Sequence, residues 1–250
     1  MDRVQRSEET YRKLCGDRPA PMAATNPEMQ DILNRFIFGE VFYQGSLDEQ
    51  HRELITIVVL AASQCLPQLR SHVGVGLRVG LAPEAIQEAL YQCAPYIGFP
   101  KTLSALGEMN QAFAAQGISL PLEKQGTVTE EDRFDKGLAV QKSIFGDAID
   151  QMRANAPEGQ EHIQDYLSAF CFGDIYTRGV LDLKTRELLT LCIISALGGC
   201  ESQVKSHVHG NLSVGNSKQT LVDAMTQCLP YMGFPRTLNA LACINQVAGS

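Results

Sequence analysis

From Leu54 to Ala62 nearly every position is apolar, and the run is rich in β-branched residues. Taken alone, Leu54-Ile55-Thr56-Ile57-Val58-Val59-Leu60 has the composition of a strand. Read on through Ala61-Ala62, the element is longer than a typical strand. Its later counterpart, Leu188 to Leu197, stops at Gly198-Gly199. Length and a terminal glycine favour a helix. A helix apolar nearly all round belongs between other helices. A second helix is expected from about Cys65-Leu66-Pro67 through His72 to Val79, with proline in the first turn and Gly80 or Gly215 at its end. A third begins at Pro83-Glu84 in one place and behind Ser217 in the other. Its spacing of Ile86, Ala89, Leu90 and Cys93 fits one buried face. Beyond Gly98-Phe99-Pro100 a last helix carries Leu103, Leu106 and Met109. No alternating, turn-bounded strand emerges, so the expected class is all-α.

The same patterns occur twice. Residues 36–113 recur at 170–247: Phe36-Ile37-Phe38-Gly39-Glu40 returns as Phe170-Cys171-Phe172-Gly173-Asp174, and Arg52-Glu53-Leu54 as Arg186-Glu187-Leu188. Tyr96-Ile97-Gly98-Phe99-Pro100 returns as Tyr231-Met232-Gly233-Phe234-Pro235. The period is far too long for a solenoid unit, so each copy reads as a small domain. Residues 1–116 form the first with a polar helical lead, 117–129 a linker containing Pro121, and 130–250 the second. Ser7 and Thr129 are the expected N-caps of the two leads.

The chain has 250 residues, a hydrophobic content of 44% and a net charge of −7. The acidic balance argues against nucleic acid as a partner, while leaving room for a local basic pocket suited to a small anionic substrate. No stretch reaches the length of a membrane span, and the first residues lack the apolar core of a signal peptide. A cytoplasmic protein with no membrane partner is expected. The eight cysteines do not suggest a disulfide framework. Cys93 and Cys228 read as core residues, and no zinc-type Cys-x2-Cys pair is present, so no metal is expected.

One constellation recurs with fixed spacing. Glu53, Cys65, Gln68 and His72 stand in the first copy; Glu187, Cys200, Gln203 and His207 stand in the second. Cys, Gln and His at i, i+3 and i+7 share one helix face. A cysteine at a helix start would meet unpaired N–H groups, which favour thiolate. Arg52 with Arg186, and Arg70 with Lys205, are expected to flank the sites. A histidine on a helix is also commonly a hydrogen-bonded packing residue, so recurrence leaves a structural and a chemical role both open.

The runs Arg52-Glu53-Leu54, Gln68-Leu69-Arg70-Ser71-His72, Leu77-Arg78-Val79-Gly80-Leu81 and Tyr96-Ile97-Gly98-Phe99-Pro100 resemble the carboxymuconolactone decarboxylase family. The second copy resembles it from Arg186 through His207 to Pro235. The resemblance implies two tandem helical units of the alkylhydroperoxidase D type, joined as a covalent pseudo-dimer. It also implies a homo-oligomer, with three such chains closing a ring. The peroxidase branch of that superfamily resembles Glu…Cys-x-x-Cys-x-x-x-His, but here Gln68 and Gln203 occupy the second cysteine position. The local dithiol of a redox cycle is therefore missing.

Decarboxylation of a lactone-type acid from aromatic catabolism asks less of the chain. The substrate's own carbonyl takes the released electrons, so no cofactor is expected. On this reading His72 donates to the developing oxyanion and Glu53, its proton retained by burial, reprotonates carbon. Arg70 or Arg78 grips a carboxylate. Because Ser213 replaces Arg78 in the second copy, the first is the expected better site. Two alternatives stand beside this one: a thiol-dependent peroxidase or disulfide reductase using Cys65 and Cys200, and a non-catalytic assembly or binding module. The lyase reading requires acid and imidazole to converge on a dry cavity between helices.

Overall fold

A computed structural model describes residues 2–17 and 19–249, and among them every regular element is helical. The first copy comprises α1 (Arg3–Cys15), α2 (Pro27–Gly39), a 3₁₀ turn (Val41–Tyr43), α3 (Glu49–Ser63), α4 (Leu66–Arg78), α5 (Pro83–Ile97) and α6 (Phe99–Ala115). The second comprises α7 (Arg133–Phe145), α8 (Ala148–Ala154), α9 (Glu161–Tyr166), a π-helical segment (Leu167–Tyr176), α10 (Leu183–Leu197), α11 (Glu201–Ser213) and α12 (Lys218–Ala248). The strand-like run is thus the centre of α3, and tertiary burial overrides its local β preference.

Helices α3 and α10 lie at the middle of the molecule. Asp48 opens α3 by accepting the His51 N–H at 2.8 Å, and Asp182 opens α10 by accepting the Thr185 N–H at 2.8 Å. Every residue from Arg52 to Ala62 and from Arg186 to Ala196 is buried. Their apolar side chains join one hydrophobic core that draws on both copies, with Ile57, Leu90 and Phe113 from the first and Leu191, Met225 and Ile244 from the second. A smaller cluster of Ile144, Cys171, Phe172 and Tyr176 lies apart from it in the second copy.

The register shift between copies sits directly after these helices. α3 ends on Gln64 in a left-handed conformation (φ 57°), whereas α10 ends on two glycines, Gly198 and Gly199 (φ 74° and 69°). Gln64 steadies its turn through a side-chain N–H to the Ala61 carbonyl at 2.7 Å. Farther on, Gly98 and Gly233, both at φ 80°, break the chain before a proline, so the α5–α6 boundary recurs as a kink within α12.

The lead helices expected in each copy repeat as well, in a register that differs from the one Ser7 and Thr129 imply. Arg3 pairs with Glu40, and Arg133 pairs with Asp174. Gly39 and Gly173 lie against the Arg3 and Arg133 carbonyls, and a Cβ at either glycine would collide with that backbone. Gly16 and Gly146 end the two leads at positive φ. These correspondences align Cys15 with Phe145.

Two expected caps are corrected. The N-cap of α1 is Asp2, which accepts from Val4 and Gln5 in a capping box with Gln5. Ser7 lies buried within the helix and donates to the Val4 carbonyl. Thr129 is no cap either: a turn intervenes and α7 begins at Arg133, while the Thr129 N–H is held by Asp132 Oδ1 at 2.7 Å. At α1 the Asp2 carboxylate takes the first helix donors; at α7 Asp132 holds the preceding turn and makes no side-chain cap bond to the helix. The segment 117–129 runs along the second copy, with Gly179 N–H bonded to the Gln125 carbonyl and Ile118 and Leu122 packed on the core.

Candidate active site

Glu53 on α3 and His72 on α4 meet, with His72 Nδ1 2.8 Å from Glu53 Oε2. The second copy repeats this with His207 Nδ1 2.9 Å from Glu187 Oε2. The recurring spacing therefore brings acid and imidazole together in both copies. Bonding through Nδ1 fixes the ring orientation and turns Nε2 away from the carboxylate. The His72 side chain keeps 18% of its surface exposed and Glu53 only 5%. The imidazole is thus the outer group and the acid lies behind it. That differs from the expected enclosed void, because the ring opens toward solvent. A groove of about 700 Å³ lies nearby, lined by Phe42, Ser46, Asp48 and Arg52, and does not include the pair.

Each pair is completed by a tyrosine from the opposite copy. Tyr231 stands edge-on to His72 with ring centroids 5.5 Å apart, and Tyr96 stands edge-on to His207 at 6.1 Å. Burial, with Glu53 next in importance, pushes the Tyr231 hydroxyl well above its ordinary value; the hydroxyl also bonds Thr56. Burial likewise raises Tyr96, whose hydroxyl lies 3.3 Å from those of Tyr176 and Thr190. Both tyrosines stay neutral donors at ordinary pH. The repeated Tyr-x-Gly-Phe-Pro motif was visible in the sequence, but nothing local shows that it crosses to the other copy.

The two sites then diverge. Glu187 is fully buried, and its second oxygen accepts from the Tyr176 hydroxyl at 2.7 Å. Phe42 stands at the equivalent position of the first copy and packs instead over the Arg52 guanidinium. Phe145 stands edge-on to His207 at 5.5 Å, where the first copy has Cys15. Asn211 ties the Glu187 and His207 carbonyls together, where the first copy has Gly76.

Arg52 and Arg186 do not flank the sites as expected. They are buried in the seam between copies, because their guanidinium groups satisfy loop carbonyls and the partner copy's glutamine. Arg52 donates to Leu47, Gln44 and Gln227; Arg186 donates to Leu181, Arg178, Gly179 and Gln92. Gln227 and Gln92 in turn donate to Thr56 and Thr190. Arg70 is exposed and paired with Glu108 of α6. Arg78 is exposed beside the end of α1, where a methyl on Gly16 would lie 2.7 Å from its Nη1. Among the described residues no carboxylate lies within salt-bridge distance of Arg78.

Cys65 and Cys200 occupy the N-cap positions of α4 and α11, half-buried. Their sulfurs do not receive helix N–H groups, contrary to expectation. They point back to the Ser63 carbonyl at 3.8 Å and the Gly198 carbonyl at 3.4 Å. The turns into these helices place carbonyl oxygens, not donors, next to the thiols. Gln68 and Gln203 are exposed on the same helices. No cluster of three or more His, Cys, Asp or Glu side chains suited to a metal ion occurs among the described residues. No helix among them is long and apolar enough to cross a membrane.

An all-helical double repeat with a buried glutamate behind a histidine in each half defines a class, and residues 27–111 and 161–246 both match the model of the carboxymuconolactone decarboxylase family. The chain belongs to that family, with two copies of its unit. Among curated proteins it is similar to the 4-carboxymuconolactone decarboxylase of Acinetobacter baylyi, 26% identical over 121 residues, which are 48% of this chain and 90% of that protein. It is also similar to the nitrosuccinic acid decarboxylase of Metarhizium robertsii, 26% identical over 109 residues, which are 43% of this chain and 76% of that protein. One copy here thus corresponds to most of each relative.

Proposed function

We propose that this protein is a carbon–carbon lyase that removes CO2 from a small organic acid carrying its own electron acceptor. The names of both relatives describe such acids, with a lactone in one and a nitro group in the other. The observation that carries the reading is the largely buried imidazole held through Nδ1 by a buried carboxylate, formed in both copies; the acid and imidazole converge as the reading requires, at a partly open edge and not in an enclosed cavity.

As the bond to the carboxylate breaks, its electron pair passes into the acceptor and places negative charge on an oxygen. The His72 Nε2–H is the donor for that oxygen. The same nitrogen then returns a proton to carbon, so that acid and proton become product and CO2. Glu53 is a positioning residue: it fixes the ring through Nδ1 and does not itself reach the substrate. Arg78, exposed and without a carboxylate partner among the described residues, is the better of the two candidate grips for a second substrate carboxylate, since Arg70 is already engaged. Gln68 and Cys65 stand on the same helix as His72 and would line the approach. No cofactor is called for, because the acceptor belongs to the substrate. A ring of such chains in the cytoplasm remains part of the proposal.

The thiol-dependent alternative gains nothing from sulfurs that point at carbonyl groups. The test is CO2 release from 4-carboxymuconolactone and from nitrosuccinic acid, with the wild-type chain and His72→Ala side by side. Release lost in the variant, with its melting curve intact, supports the lyase. Release equal in both, or consumption of a hydroperoxide with a thiol donor instead, overturns it.

A further inference from the structure

We infer that residues 15 and 145, at equivalent ends of the two lead helices, set access to the two histidines, so that the first copy receives substrate and the second is held closed. This deepens the lyase reading and rests on it for the identity of the substrate; the difference in access does not.

The second site is shut on three sides. His207 lies between two rings, Tyr96 at 6.1 Å and Phe145 at 5.5 Å, both near perpendicular. Phe145 is itself backed by Phe172, with centroids 6.0 Å apart. The far oxygen of Glu187 is occupied by Tyr176. His207 keeps 12% of its side-chain surface against 18% for His72, so the difference lies less in total exposure than in the rings that flank the imidazole. His72 has a tyrosine on one side only, and the helix end that carries Phe145 in the second copy carries Cys15 here. Tyr231 lies within electrostatic reach of both Glu53 and Cys15, so the shorter side chain faces the same group of residues.

A second exchange supports the alignment. A methyl on Gly210 would lie 2.5 Å from Glu187 Oε2 and 2.9 Å from the Phe145 ring, so the glutamate and the phenylalanine together leave room only for glycine at 210. The residue equivalent to Gly210 is Val75, which would not fit beside a phenylalanine at 15. The first copy thus carries Cys15 and Val75 where the second carries Phe145 and Gly210, and only the second places an aromatic ring over the imidazole from this helix end. Arg78 lies beside Gly16, the residue after Cys15, and Ser213 takes its place in the other copy. A small dianionic acid entering next to Cys15 would meet Arg78 before His72.

The experiment reads histidine access directly, with diethyl pyrocarbonate labelling of the full chain located by fragment mass spectrometry. His72 is expected to label several-fold faster than His207. Phe145→Ala is expected to raise the His207 rate toward that of His72. Cys15→Phe with Val75→Gly transplants a pair already accommodated in the second copy. It is expected to slow His72 labelling and to lower kcat/KM by at least about tenfold, chiefly through KM. Equal labelling of the two histidines in the wild type, or a His207 rate unmoved by Phe145→Ala, overturns the inference. A wild-type chain that releases no CO2 but labels as described rejects the lyase reading and leaves the access difference standing.

Discussion

The Tyr231 ring meets the His72 ring edge-on across the boundary between the two copies, 5.5 Å from centroid to centroid. Neither half therefore builds a complete site alone. The ring restrains the imidazole plane, while the hydroxyl is bonded to Thr56 on the same helix as Glu53. These two contributions separate by substitution. Tyr231→Phe keeps the ring and loses one buried hydrogen bond, so a stability loss of about 1 kcal/mol and most of the turnover retained are expected. Tyr231→Leu frees the imidazole and is expected to lower kcat on the order of 10²-fold, because small misplacements of a reacting group are costly. Steady-state kinetics beside thermal melts decide it. Equal kcat in the two variants would remove the ring from the account.

Glu53 and Glu187 make the same bond to histidine in unlike surroundings, so the same substitution should read out differently. Glu53→Gln retains an acceptor for Nδ1–H but loses the charge-assisted bond that holds the ring. The expected result is a kcat lower by roughly 10²-fold with KM little changed. Glu187→Gln disturbs a fully buried carboxylate that also accepts from Tyr176. Its chief effect is expected in stability, a loss of about 2 kcal/mol, because hydrogen bonds to a charged group are strengthened by burial. A melt of Glu187→Gln matching that of Glu53→Gln would contradict the difference in environment.

Local pattern sufficed for whatever depends on one helix at a time. Pro67, Pro83 and Ser217 marked helix starts that the structure reproduces, with Glu53 and His72 on successive helices. What stayed hidden depends on contacts between the copies. Arg52 and Arg186 look like surface cations in sequence, yet each is held by a glutamine from the other repeat. The pairing of α1 with α7 was obscured because few identities survive between them; the shared features are an arginine pairing with an acid and a glycine after the last turn. Cys15 could not be matched with Phe145 by composition at all. The caps failed for a simpler reason: α1 begins upstream of Ser7, at Asp2, and α7 begins downstream of Thr129, after a turn.

The seam itself supplies a stability test. Glu88 is fully buried and receives Arg178 at 2.9 Å and Arg186 at 3.3 Å. Removing one guanidinium leaves a buried carboxylate short of compensation, as well as the loop carbonyls of Arg178 and Gly179 without their donor. Arg186→Leu is expected to cost about 3–5 kcal/mol. The double variant Arg186→Leu with Glu88→Leu should recover part of that loss, since the stranded charge is gone. Urea melts of the wild type and the two variants measure this. A single variant within 1 kcal/mol of wild type, by the scale set for buried pairs, would show the triad to be dispensable.

High pH should unfold the protein through its buried thiols and phenols. Burial raises Cys93, Cys171 and Cys228 above the ordinary thiol value of 9.0, with Cys171 pushed up to about 12. Tyr96, Tyr176 and Tyr231 are raised above 10.0 by the same cause. A group whose folded value lies above its unfolded value binds its proton more tightly in the native state. Its contribution is therefore complete below pH 9 and declines as pH rises from there toward 12. Midpoint temperatures followed by circular dichroism should be level from pH 7 to 8.5 and fall steadily from 9 to 11. Because each residue adds to the slope, Cys171→Ala should flatten it even while lowering the midpoint at pH 8 through the cavity left behind. A slope identical in Cys171→Ala and wild type would mean that this thiol ionises as readily in the folded protein as in the unfolded chain.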